Sequence, residues 1–255
     1  METFTKEGKY IYCIIRSEQA RSFGPLGVGE RGDELRTVCF GDIAAVVSNS
    51  PVKSYTVSRD NLLAHEKAIE EVMKEHTVLP VRFCTIAKDE DKVKKILETE
   101  HDKFAELLKN INGKKELGLK AILKEELIYK EILEKYEDVR KFKEAISREP
   151  PAKTYQQRME IGEKVKAALQ KEKAGYKDEI INTLTPLARE VKVNAPYGEM
   201  MVLSAAFLVE DSREAEFDRN VQALADKAGP KLRFKYTGTL PPFNFVNLVI
   251  ETGRY

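Results

Sequence analysis

Two short segments constrain this chain most. Val78–Ile86 reads VLPVRFCTI, and Gly238–Val246 reads GTLPPFNFV. Each sets Leu-Pro beside apolar and aromatic residues of strand propensity, and each follows a helix-like stretch that itself follows an apolar strand. A chain patterned this way folds as two α+β modules. Its 255 residues suffice for two moderate cores. A hydrophobic fraction of 42%, with 11 Phe and 10 Tyr, excludes general disorder.

In the first module, residues 1–113, the β-rich run Lys9–Arg16 reads as an interior strand. Phe23–Gly32, FGPLGVGERG, reads as a glycine-rich loop. Strands follow at Leu35–Phe40 and Ile43–Ser48, with Gly41-Asp42 as a hairpin signal between them. Ser58 offers an N-cap for a helix that keeps Leu62, Leu63, Ile69, Val72 and Met73 at helical spacing up to His76. After the strand VLPVRFCTI, the spacing predicts one amphipathic helix over Lys88–Ile111, stopped by Asn112-Gly113.

The second module, residues 114–255, opens with a strand over Glu116–Ile122 and is interrupted by a helical insertion over 123–189. Leu123–Ile180 carries 14 basic and 13 acidic residues among 58, far denser than the chain-wide 33%, and Pro150-Pro151 divides the run. That pattern predicts a charged helical hairpin projecting into solvent. Leu127, Ile128, Ile132 and Leu133 on one arm and Met159, Val165 and Leu169 on the other form an apolar stripe that zips the arms or receives a partner helix. Strands at Glu190–Ala195 and Met200–Val209, a helix from Ser212 closed by Gly229-Pro230, and a strand at Lys231–Thr237 complete the module. The order β, helical insertion, β, β, α, β is the ferredoxin-like split βαβ order with an enlarged first crossover. The first module is a modified version of it, with a loop in place of the first helix.

Several function classes are excluded or left without support. The formal charge of +1, from 43 basic and 42 acidic residues, gives no global field for nucleic acid or an anionic membrane. Cys13, Cys39 and Cys84 lie in apolar runs and match neither a disulfide framework nor a zinc site, which suits a cytoplasmic protein. No run of about 18 apolar residues predicts a membrane span, and the N-terminus shows no export signal. His65 and His76 would stand about 16 Å apart on one straight helix, too far to share a metal. With no phosphate-binding loop and no oriented nucleophile, neither catalysis nor any cofactor is expected. One rival class remains, a ferredoxin-like small-molecule- or RNA-binding regulator. Its support is Lys231–Gly238, KLRFKYTG, where Phe234 and Tyr236 share one face and three cations the other.

KYIYCII at the start, GDIAAVVS at Gly41–Ser48, His65-Glu66, VLPVRF, Val-Asn-Ala, LSAAFLV and GTLPPFNFV, in this order, span almost the whole chain. Together they resemble the gas vesicle accessory proteins of the GvpF/GvpL type, with Cys84 standing where that family tends to have Gly. The resemblance implies a non-enzymatic, cytoplasmic, gas-vesicle-associated protein. It would bind the major hydrophobic shell protein, with other gas vesicle accessory proteins as possible partners, limit its aggregation and assist nucleation and assembly. The resemblance points to the first module as the binding surface. The expected contacts are Phe23, Leu26, Val28, Val38, Phe40, Ile43, Val46 and Arg82. Arg82 has two readings: a clamp to Glu66 or Glu70 on the preceding helix, or a direct partner contact.

Overall fold

The computed structural model describes residues 6–52, 55–147 and 154–253. The chain forms two compact units, divided between Glu116 and Leu117 and again between Gly238 and Thr239. The residues after Gly238 thus join unit one, whereas the sequence division at 113/114 puts them in the second module. Long-range contacts draw the tail there: Val81 and Leu248 form a parallel bridge, and Asn244 bonds Glu116.

Unit one is built on β1 (Glu7–Arg16), β2 (Ser22–Gly24), β3 (Leu35–Phe40), β4 (Ile43–Pro51), β5 (Val78–Pro80) and β6 (Ile86–Ala87). The sheet order is β2-β3-β4-β1-β5, with β6 also paired to β1. β1 pairs antiparallel with β4, β5 and β6, as do β2 with β3 and β3 with β4, and β3 meets β4 through the two-residue turn Gly41-Asp42, where Gly41 has φ 57°. Tyr10 to Ile15 of β1 are all fully buried, which requires cover on both sheet faces. Helix α1 (Arg59–Met73) supplies one cover through Ala68, Ile69 and Val72, and α2 (Glu90–Thr99) and α3 (His101–Ile111) lie against β1, β3 and β4. Ser58 caps α1 as its sequence predicts, its side chain accepting from the Asn61 amide at 3.2 Å. α1 ends at Met73, so His76 is not on it. The single helix expected over Lys88–Ile111 is two, because Glu100 (φ −103°, ψ 12°) leaves helical geometry and lets Val93, Ile96 and Leu97 pack independently of Phe104 and Leu108.

Unit two contains β7 (Lys114–Leu123) from Leu117 onward, α4 (Glu125–Lys135), α5 (Glu137–Ser147), α6 (Tyr155–Leu184), β8 (Glu190–Val193), β9 (Met201–Glu210), α7 (Glu214–Ala228) and β10 (Leu232–Leu240) as far as Gly238. Its sheet order is β10-β7-β9-β8. The same rule governs both sheets: the opening strand is flanked by the third and fourth main strands, β4 and β5 around β1, β9 and β10 around β7. The expected two-armed hairpin is instead three helices. Tyr136 (ψ 94°) breaks the first arm into α4 and α5, and Pro150-Pro151 lies outside the described residues. Nor does the segment simply project into solvent. Ile128, Ile132, Leu169, Ile180 and Leu184 share a buried cluster with Leu117 and Leu119 of β7 and Phe207 of β9, each such side chain stabilising by roughly 1.5–3 kcal/mol. Charge is used at the break itself: Lys135 and Tyr136 both bond the nearly buried Glu172 of α6, at 2.7 Å each.

Candidate functional site

The most distinctive backbone in unit one lies where VLPVRFCTI predicts one continuous strand. β5 pairs Pro80 with Cys13, and β6 pairs Ile86 with Tyr10. Between these pairs β1 advances two residues, Ile11 and Tyr12, while the partner segment inserts five, 81–85. The Val81 amide still donates to the Tyr12 carbonyl and the Ile11 amide to the Thr85 carbonyl, both at 2.9 Å, so residues 82–84 are the ones that leave the ladder, and Cys84 among them adopts φ 65°, a conformation that favours glycine. The inserted segment bulges off the sheet.

Buried polar groups hold that bulge in place. The Val81 carbonyl only accepts, so the Nε2–H of His65 donates to it (3.1 Å), leaving Nδ1 to accept from the Tyr10 hydroxyl (3.1 Å). The Tyr10 oxygen in turn accepts the Cys84 amide at 2.8 Å, and the Thr85 hydroxyl donates to the Arg82 carbonyl at 2.7 Å. Burial pushes the His65 pKa down to about 4, against the opposing effect of the Val81 bond, so the ring is neutral at pH 7. Burial likewise pushes the Tyr10 hydroxyl well above its ordinary value. Two residues along the same strand, Tyr12 performs the matching task for the glycine-rich loop. Its hydroxyl accepts the Val28 amide at 2.8 Å and bonds Ser48 at 2.9 Å. Sequence reasoning missed Tyr10, Tyr12 and His65 as organisers. The available signal was two tyrosines in an otherwise aliphatic interior strand, since buried hydroxyls require partners.

Outside the bulge lies a cleft of about 550 Å³. Val52, Phe83, Ile86 and Val249 supply apolar wall, with Val52 46% and Val249 48% exposed. Arg82 stands in it, exposed, and makes no ion pair with Glu66 or Glu70 among the described residues, so the clamp reading is corrected. The bulge turns Arg82 away from the alternation a regular strand would impose. Glu66, left without that cation, is held above the ordinary carboxylate range by burial and by Glu70. An open cleft that sets apolar side chains among polar groups, including Thr85, Thr252 and one free guanidinium, can bind a peptide segment.

The structure does not bring the expected contact residues into one footprint. Val28, Val38, Ile43 and Val46 are at most 2% exposed and belong to the core, where no partner reaches them in the folded state. Phe23 and Leu26 are half-buried against that core, with Phe23 beside His76. Phe40 is 36% exposed at the end of β3, edge-on to His101. Phe23 lies on β2 and Arg82 just past β5, at opposite edges of the sheet, about 19 Å apart at ordinary strand spacing. Of the eight, Arg82 lies in the cleft; Val52 and Val249 were not anticipated.

Other expected constellations are also placed. Cys84 does not meet His76: its sulfur accepts the Tyr55 amide at 3.3 Å. Among the described residues no three His, Cys, Asp or Glu side chains gather as a metal site, and no helix is long and apolar enough to cross a membrane. Phe234 and Tyr236 of β10 pack against the core of unit two, where Tyr236 stacks on Phe217 and bonds Asp218.

The family profile described as gas vesicle synthesis protein GvpL/GvpF matches residues 8–247. Gas vesicle protein F of Streptomyces sp. (strain CB03234) is 30% identical over 238 residues, covering 93% of this chain and 98% of that protein. Gas vesicle protein F of Dolichospermum flosaquae is 28% identical over 204 residues, covering 79% and 82%. The crystal structure of GvpF from Anabaena sp. PCC7120 superposes with a TM-score of 0.81 at 23% identity, covering 95% of this chain and 99% of that one. GvpF from Microcystis aeruginosa gives 0.73 at 24% identity, covering 94% and 99%. These structures share the fold, a mixed α+β arrangement on two sheets. The chain belongs to the GvpL/GvpF family of gas vesicle synthesis proteins.

Proposed function

We propose that this protein binds the major hydrophobic shell protein of gas vesicles, limits its aggregation and assists nucleation and assembly, acting as a chaperone-like minor component without enzymatic activity. A subunit destined for a gas-facing wall exposes more apolar surface and more open strand edge than a soluble protein tolerates. A cleft that offers apolar wall beside polar groups can cover part of such a surface while the subunit waits to assemble. The observation that carries the reading is the cleft around Arg82, with exposed Val52 and Val249 on a backbone fixed by Tyr10 and His65. Arg82 suits a carboxylate or carbonyl beside the apolar segment. We assign the work to the cytoplasm and its product to the vesicle, with other gas vesicle proteins as further partners. We read unit two as a ferredoxin-like module enlarged at its first crossover, a reading supported by its strand order.

The test is co-expression of the full chain with the major shell protein, followed by affinity capture. A split at residue 113 would strip residues 239–253 from unit one, so the full chain is required. Wild type should retain the shell protein, while Val249→Asp and Arg82→Glu lose most of it. Capture unchanged by both substitutions would exclude the cleft, and no capture by wild type would exclude the function.

A further inference from the structure

The helices of unit two enclose a second recess. A trough of about 740 Å³ opens between α4, α5 and α6, within the range of ligand-binding pockets. Its accessible floor is apolar, Leu133 from α4 with Ile161 and Val165 from α6, backed by the buried Ile132 and Ile146. Its rim is cationic, with Lys143, Arg158 and Lys166 against the acid Glu199. None of the three cations makes an ion pair among the described residues, and Arg158 donates from Nε to the Thr154 hydroxyl at 3.0 Å.

Gly162 also lines the trough, in the interior of the 30-residue α6, where glycine is less favourable than alanine. Local geometry does not demand it. Its φ is not positive, and a Cβ added there would meet nothing within 4 Å. The effect of the missing side chain is to leave the recess open beside Ile161 and Val165. On the turns of α6 leading into it, Tyr155 is 70% and Met159 57% exposed, so apolar surface continues beyond the recess.

We propose that this trough is a docking groove for an amphipathic helix of a partner protein, with apolar anchors on one face and acidic residues along its flank. Charge spacing selects the occupant. Arg158 and Lys166 are eight residues apart on one helix, about 12 Å along its axis, so a single anionic headgroup cannot meet both. Carboxylates seven or eight residues apart on a helix lying along α6 can, while anchors at i, i+3 or i+4, and i+7 fill the floor. The groove belongs to unit two and its occupant is not identified with the shell protein, so this inference is independent of the function proposed above.

Fluorescence anisotropy on the full-length protein tests it, using a labelled helical peptide of about 18 residues with leucine anchors and flanking glutamates eight apart. A twin peptide carries lysines in place of the glutamates. The acidic peptide should bind roughly tenfold or more tightly than its twin, a preference that shrinks as salt rises. Gly162→Trp should fill the trough and weaken binding by a similar factor. Gly175→Ala, on the same helix but outside the lining and equally uncrowded, should leave it unchanged. Arg158→Glu combined with Lys166→Glu should reverse the preference, a result that damage to the helix cannot produce. Equal binding of the twins, no saturable binding of the acidic peptide, or Gly162→Trp binding normally with its helicity intact would overturn the proposal. So would a dimer in sedimentation equilibrium that Gly162→Trp dissolves, since the groove would then belong to a second copy of this chain.

Discussion

Asn244 donates twice to the carboxylate of Glu116, from its backbone amide at 2.9 Å and its side-chain amide at 2.6 Å, and Glu116 is only 2% exposed. A carboxylate that deep requires donors, and the tail after Gly238 brings them. The bond therefore ties the end of the chain to unit one. It also fixes the stretch that carries Val249 into the cleft.

Asn244→Leu should destabilise unit one by about 1.5–3 kcal/mol, because it removes a charge-assisted donor from a buried carboxylate. Urea denaturation measures the loss. Truncation after Gly238 should cost more, since it removes both donors and the Leu248 bridge to Val81 together.

Cys84 holds a backbone conformation that penalises any Cβ. Cys84→Gly should stabilise the protein by about 0.5–1 kcal/mol, slightly offset by loss of the Tyr55 amide contact. Cys84→Val should destabilise it, because branching at Cβ worsens the same clash. Thermal midpoints of the three proteins should rank glycine, cysteine, valine.

His65 is neutral in the folded state to about pH 4 but ordinarily titrates near 6.5. Below pH 6.5 the unfolded chain takes up a proton that the folded chain refuses, so stability falls as pH drops toward 4 and levels off beneath it. This group contributes about 3 kcal/mol to that fall. His65→Gln preserves a donor for Val81 and an acceptor for Tyr10 without the titration. Urea midpoints followed from pH 7.5 to 4 should show a shallower slope for the variant, with carboxylate effects common to both proteins cancelling.

His101 shows the opposite sign. Its Nε2 meets Asp42 at 2.8 Å, and this bond, reinforced by Asp102, raises its pKa while the Asp42 carboxyl is held below the usual range. The stabilisation is fully present below pH 6.5 and is lost as pH rises through the folded value. An NMR titration of His101 should place its pKa above 6.5, and Asp42→Asn should lower it. His101→Gln should weaken stability at pH 6 and leave it unchanged at pH 9.

Local signals read well in this chain. The Ser58 cap, the Gly41-Asp42 turn and the apolar run of β1 each depend on neighbours in sequence, and each appears where its residues predict. Features set by distant contacts were not legible. Leu97 and Phe104, seven residues apart on either side of Glu100, keep one helical phase, so spacing alone does not mark the kink between α2 and α3. Strand propensity at Arg82–Cys84 cannot reveal that Tyr10 and His65 hold the segment off the sheet. Burial misled the choice of contact residues for the same reason. Val28, Val38, Ile43 and Val46 are apolar because they form the core, whereas Val249 reaches the surface of unit one through a tail whose return no local pattern announces.

Amide hydrogen exchange on the full-length protein, with and without the major shell protein, tests the proposed binding surface most directly. Protection gained at 81–86 and 248–252, with little change over β2 and β3, is the predicted result. Protection confined to β2 and β3, or absent from unit one, would contradict it.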